Sequence, residues 1–99
     1  MAKNQLTRIK NISELVKLEV LDLHANKIAK IEGFGLLNSL RILNLSHNQI
    51  VKMEGLDHLL NLNELNLKSN LLLAVEGLQR LVKLEKLFLA NNRIEIKQL

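Results

Sequence analysis

Apolar residues return along this chain at a fixed spacing of 22. Leu21-Asp22-Leu23-His24 alternates apolar and polar, as does Leu43-Asn44-Leu45-Ser46. That two-residue rhythm predicts a short strand with one buried face. The stretch after it changes period, with Ile28, Ile31, Phe34 and Leu37 spaced by three. Such spacing suits tight turns or 3₁₀ segments, whose side chains eclipse at i and i+3, better than an α-helix. Between the two stretches stands an asparagine, repeated as Asn4, Asn26, Asn48, Asn70 and Asn92. Leu23, Leu45, Leu67 and Leu89 precede it, and Leu6, Ile28, Ile50, Leu72 and Ile94 follow it.

A fixed period of this length marks a solenoid, in which each unit packs only on its neighbours. The whole chain, 1-99, reads as one array: a partial unit 4-14, then units 15-36, 37-58, 59-80 and 81-99. One strand per unit, all running the same way, builds a parallel sheet at about 4.8 Å per step. The expected class is an α/β solenoid, with a short parallel sheet on one side and 3₁₀ or turn segments on the return. Each asparagine stands where the chain leaves the strand, so its amide serves loop backbone that would otherwise be buried unpaired. A structural Asn ladder at Asn4, Asn26, Asn48, Asn70 and Asn92 is therefore expected. Asn11, Gly33, Gly55 and Gly77 form a second register, where residues tolerant of positive φ predict a left-handed backbone. Leu99 falls on that register and does not suit it. Phe34 shares a row with Ile12, Leu56 and Leu78 and is expected in the core. Val75 continues the row of Ile31 and Met53, which Lys97 breaks.

The frame Leu18-Glu19-Val20-Leu21-Asp22-Leu23-His24-Ala25-Asn26-Lys27-Ile28 resembles a leucine-rich repeat. The units are similar to the 22-residue subclass typified by the leucine-rich-repeat regulatory subunit of protein phosphatase 1. That subclass often carries a return like Ile28-Ala29-Lys30-Ile31-Glu32-Gly33-Phe34 or Ile50-Val51-Lys52-Met53-Glu54-Gly55-Leu56. Similar repeats occur in centriolar and ciliary scaffold proteins. The resemblance implies that the strands line a concave face and that a partner protein docks there. A phosphatase or a cytoskeletal or ciliary component is the partner class it suggests. The fold itself hosts many unrelated partners.

By register, the outward strand residues form three rows: Val20, Ile42, Glu64 and Lys86; Asp22, Asn44, Asn66 and Phe88; His24, Ser46, Lys68 and Ala90. The expected partner-binding set is Val20, Asp22, His24, Ile42, Asn44, Glu64, Asn66, Lys86 and Phe88. Val20, Ile42 and Phe88 supply apolar contact, and Asp22, Glu64 and Lys86 set register. Exposed aromatics are enriched at binding hot spots, which singles out Phe88. On the return side, Leu71 stands where other units carry Lys27, Gln49 and Arg93, and Leu73 where they carry Ala29, Val51 and Glu95; the two predict a small exposed apolar patch.

The formal net charge is +4, but these rows mix signs and gather no basic stripe. Phosphate binding needs several convergent cations, so nucleic acid is not an expected partner. Met1 to Lys10 lacks the apolar run of a signal peptide, and no stretch approaches the roughly 20 residues that cross a bilayer. The chain has no cysteine, which favours a reducing compartment. An intracellular location, cytoplasmic or nuclear, is expected. His24 and His47 lie on adjacent units at similar height, with Asp22 as the one further ligand candidate, so no metal and no cofactor is expected. No catalytic grouping is visible beyond Asp22 with His24, and an enzyme is not expected.

Neither end of the array carries a polar outer face. Leu6, Ile9 and Ile12 begin it and Lys97 to Leu99 close it, so the chain reads as a fragment of a longer array or as one that associates through its ends. An engineered array is the third option, since Cys, Pro, Trp and Tyr are all absent. The functional expectation is a non-catalytic protein-interaction module of the regulatory- or scaffold-subunit kind, against the alternative of a structural, self-assembling array.

Overall fold

A computed structural model describes residues 17–34 and 37–95. Four three-residue strands, β1 (Val20–Asp22), β2 (Ile42–Asn44), β3 (Glu64–Asn66) and β4 (Lys86–Phe88), form one parallel sheet in the order β1-β2-β3-β4. Val20, Ile42, Glu64 and Lys86 stand opposite one another in succession, as do Asp22, Asn44, Asn66 and Phe88. The register therefore advances by one sequence period per strand. Each strand begins one residue earlier than the alternation suggested, and its middle leucine (Leu21, Leu43, Leu65 or Leu87) turns inward.

The core is a column of stacked aliphatics. Leu43, Leu45, Leu65, Leu67, Ile50 and Leu72 are fully buried, and Phe34 joins them beside Leu56. Each such side chain contributes roughly 1.5–3 kcal/mol by leaving water. No segment is helical among the described residues. The return path is stitched instead by single i→i+3 bonds. Leu37 N–H donates to Phe34 O and Leu40 N–H to Leu37 O, at 3.0 and 3.1 Å. The same pair of bonds recurs at Leu59 and Leu62, and at Leu81 and Leu84. These have the 3₁₀ bonding pattern without running on into a helix.

The asparagine ladder is present at Asn26, Asn48, Asn70 and Asn92; Asn4 lies outside the described residues. The Nδ2 of Asn48 donates to Leu45 O in its own turn at 2.9 Å and to Leu23 O in the preceding one at 3.1 Å. Its Oδ1 accepts the Ile28 N–H at 3.1 Å. Asn70 and Asn92 repeat all three bonds one and two periods on. Each asparagine thus closes its own bend and ties it to the turn before.

Gly33, Gly55 and Gly77 take φ of 86°, 71° and 72°, the left-handed backbone their register predicted. At Gly55 a Cβ would sit 2.4 Å from Ile31 O, and at Gly77 2.5 Å from Met53 O. The return loops pass too close to their neighbours for any side chain. A second left-handed row, not anticipated, runs through Ala25, His47, Ser69 and Asn91, with φ between 57° and 60°. It is the bend each ladder asparagine closes. Among these residue types asparagine, and to a lesser degree histidine, adopts that conformation more readily than alanine or serine.

Val75 departs from its expected row. Ile31 and Met53 are buried, whereas Val75 is 51% exposed. Leu73 is 58% exposed as expected, while Leu71 is half-buried. Expectations for Leu6, Ile9, Asn11, Ile12, Lys97 and Leu99 concern positions outside the described residues.

Candidate functional site

The strand face carries every residue expected to bind. Val20 is 54% exposed, Asp22 and Lys86 are also exposed, and His24, Ile42, Asn44, Glu64, Asn66 and Phe88 are half-buried. The parallel register brings them together as one surface four strands wide.

Part of that surface holds its own backbone. Asn44 Oδ1 accepts from the Ser46 N–H at 3.0 Å and from Ser46 Oγ at 2.7 Å. Asn66 Oδ1 accepts from the Lys68 N–H at 3.1 Å. Asp22 does the same for His24, at 3.0 Å to the backbone and 2.6 Å to Nδ1. These i→i+2 bonds shape the exit from the strand, as short Asx side chains do in turns. The recurrence of Asp22, Asn44 and Asn66 at one register position was the available signal. Phe88 breaks the series with a ring that accepts no such bond.

The His24 ring is thereby committed to Asp22. Burial raises the Asp22 carboxyl, but the hydrogen bonds from the His24 ring and backbone outweigh it and leave the group below its usual value. His47 sits apart on the exposed bend. Among the described residues no three His, Cys, Asp or Glu side chains converge to hold a metal ion.

At the other end of the face, Lys68 Nζ lies 5.1 Å from the centroid of the Phe88 ring, within the range of a cation–π contact. Lys86 pairs loosely with Glu64 at 3.9 Å. Beside the strands, Arg41 bonds Glu19 at 3.2 Å and Asn63 Nδ2 bonds Glu85 at 2.9 Å. These four residues, with Lys17, Ser39, Asn61 and Lys83, line an open polar hollow of about 810 Å³. The row of Lys17, Ser39, Asn61 and Lys83 was not anticipated from the sequence. That row is visible only when the chain's approach to each strand is seen folded alongside it.

Comparison with known proteins agrees with this geometry. The family model for leucine rich repeats matches residues 2–50. The internalin InlF of Listeria monocytogenes superposes with a TM-score of 0.84 at 32% identity, over 92% of this chain and 27% of that one. Internalin C2 of the same organism gives 0.85 at 28% identity, over 93% and 41%. The chain thus spans less than half the length of either. No curated protein sequence gives a match. Repeat frame, asparagine ladder, parallel register and structural kinship converge: the chain is a leucine-rich-repeat protein, folded as a solenoid.

Proposed function

We propose that this chain is a non-catalytic interaction module that docks a partner protein across its strand face. Domains of this fold generally bind other proteins. The observation that carries the reading here is the apolar content of the face. Val20 is solvent-exposed with Ile42 half-exposed beside it, and Phe88 is half-exposed at the far end of the sheet, all at positions where the repeat frame needs no apolar residue. β-Branched residues favour strands, which accounts for Val20 and Ile42 in part, but it does not account for an aromatic that replaces an Asx turn.

A regulatory or scaffold role fits such a surface. Resemblance to the 22-residue subclass makes a phosphatase or a cytoskeletal or ciliary component the first partners to try, and the cysteine-free chain fits a reducing, intracellular setting. Affinity capture with the chain, run beside an Ile42→Glu/Phe88→Ala double variant, tests the reading. Loss of the captured protein in the variant supports it. Equal capture by both proteins sinks it.

One observation favours a second reading, self-association. At β4 the backbone N–H groups of Leu89 and Asn91 have no partner among the described residues, whereas their counterparts Leu67 and Ser69 donate to Phe88 O and Ala90 O. Such an edge can pair with another chain. Light scattering decides it, because a monomer at high micromolar concentration rules the reading out. The Asp22–His24 pair supports no hydrolase reading, since the carboxylate is committed to the His24 backbone as well as its ring.

A further inference from the structure

Hydrogen-bonding capacity on the strand face is unevenly satisfied. Every carboxylate there already has a partner: Asp22 bonds His24, Glu64 pairs with Lys86, Glu19 with Arg41, and Glu85 accepts from Asn63. The unspent groups are donors. Asn44 and Asn66 use their Oδ1 atoms on their own backbone, and their Nδ2 atoms have no partner among the described residues. No buried side-chain nitrogen or oxygen lacks a partner, so both Nδ2 atoms reach solvent. Asn44 and Asn66 are register neighbours, so these donors stand about 4.8 Å apart. Lys68 is exposed and pairs with no carboxylate among the described residues. The Phe88 ring instead flanks its ammonium group at 5.1 Å.

We infer that the partner of this face is an extended acidic segment. It lays an acidic side chain against Lys68, turns backbone carbonyls toward the Asn44 and Asn66 amides, and rests an apolar side chain on Val20 and Ile42. This inference rests on the strand-face reading above and gives the partner its chemistry. A carboxylate at Lys68 meets a cation already oriented by an aromatic ring, so less side-chain entropy is lost on binding. The geometry also sets a spacing. Lys68 lies four residues along the strand direction from the Val20–Ile42 row, and one or two strands across from it. At about 3.3 Å per residue and 4.8 Å per strand, that is about 14–16 Å. An extended peptide covers it in about four or five residues.

Selection from a displayed library of random 12-residue peptides against the immobilised chain tests the inference. The expected enriched peptides carry Asp or Glu about four or five residues from an apolar side chain. Lys68→Glu, a change at an exposed site, is expected to weaken their binding at least tenfold with an unchanged circular dichroism spectrum. Peptides without an acidic bias, or an empty selection, overturn the inference. Binders lost on Ile42→Glu but indifferent to Lys68→Glu overturn the acidic partner and leave the strand-face reading standing. Binders indifferent to both changes overturn the two together.

Discussion

The turn around β3 and the turn around β4 share one sequence frame but stand in different surroundings. Leu65 and Leu67 are fully buried between the turns on either side, while Leu87 and Leu89, their counterparts one period on, are half-buried. Val82 is 82% exposed and Val75 has left the core row. Burial in a solenoid is a property of neighbours, and identical leucines contribute differently according to how many sides are covered. The concave row differs as well. Asn66 shapes its own strand exit, whereas Phe88 does not and stands beside Lys68 instead. Where the frame is intact, residues are committed to the fold. Where it breaks, as at Phe88, the side chain makes no such bond and stays at the surface.

Truncating the buried leucine is the strongest way to test this contrast. Leu65→Ala is expected to cost about 2–5 kcal/mol in urea denaturation, and Leu87→Ala less than half of that. Equal losses would mean that the β4 turn is as well covered as the β3 turn.

The ladder asparagines give the next largest difference. Asn70→Ala leaves the buried Ile50 N–H without its acceptor and removes one of two asparagine donors from each of the Leu45 and Leu67 carbonyls, which keep Asn48 and Asn92. At about 1–3 kcal/mol for the one unsatisfied buried group, with about 0.5–1.5 kcal/mol for each further bond lost, a loss of about 3 kcal/mol is expected. Asn92→Ala removes the equivalent bonds from a half-buried site and should cost about 1 kcal/mol. Thermal melts of the two variants check the order.

Much of this was legible in the chain before it was folded. The spacing of Asn26, Asn48, Asn70 and Asn92 gave the ladder, and Gly33, Gly55 and Gly77 gave the left-handed return, because each depends on one residue type in one backbone role. The bend at Ala25, His47, Ser69 and Asn91 was hidden, since four different side chains occupy the same strained conformation. The ladder asparagine imposes it whatever residue stands there. The turn role of Asp22, Asn44 and Asn66 was also missed, because an outward polar row on a strand reads equally as a binding surface. Val75 could not be placed by period alone, since its burial depends on the turn beyond it.

The left-handed bend offers a smaller test. Ala25 holds φ of 58° and Asn91 60°, but asparagine suits it better than alanine. Ala25→Gly should stabilise the chain by about 0.5 kcal/mol, the relief of left-handed strain exceeding the added chain entropy. Asn91→Gly should change little.

The smallest expected effect is acid sensitivity. Asp22 is depressed in the folded state, so its contribution is fully present above the usual carboxylate pKa and is lost as pH falls through the lowered value. Asp22→Asn makes this turn resemble that of Asn44 and should remove that loss, as read by acid titration of the two proteins.

We propose that the repeat frame folds the chain while Phe88, where that frame breaks, contacts the partner. This is tested most directly by titrating the partner captured by the unmodified chain into Phe88→Ala and Asn70→Ala, at a temperature where both are folded. At least a tenfold weaker affinity is expected for Phe88→Ala and nearly unchanged affinity for Asn70→Ala, despite the lower melting temperature of the latter. Unchanged affinity in Phe88→Ala, with loss in Asn70→Ala, would contradict it.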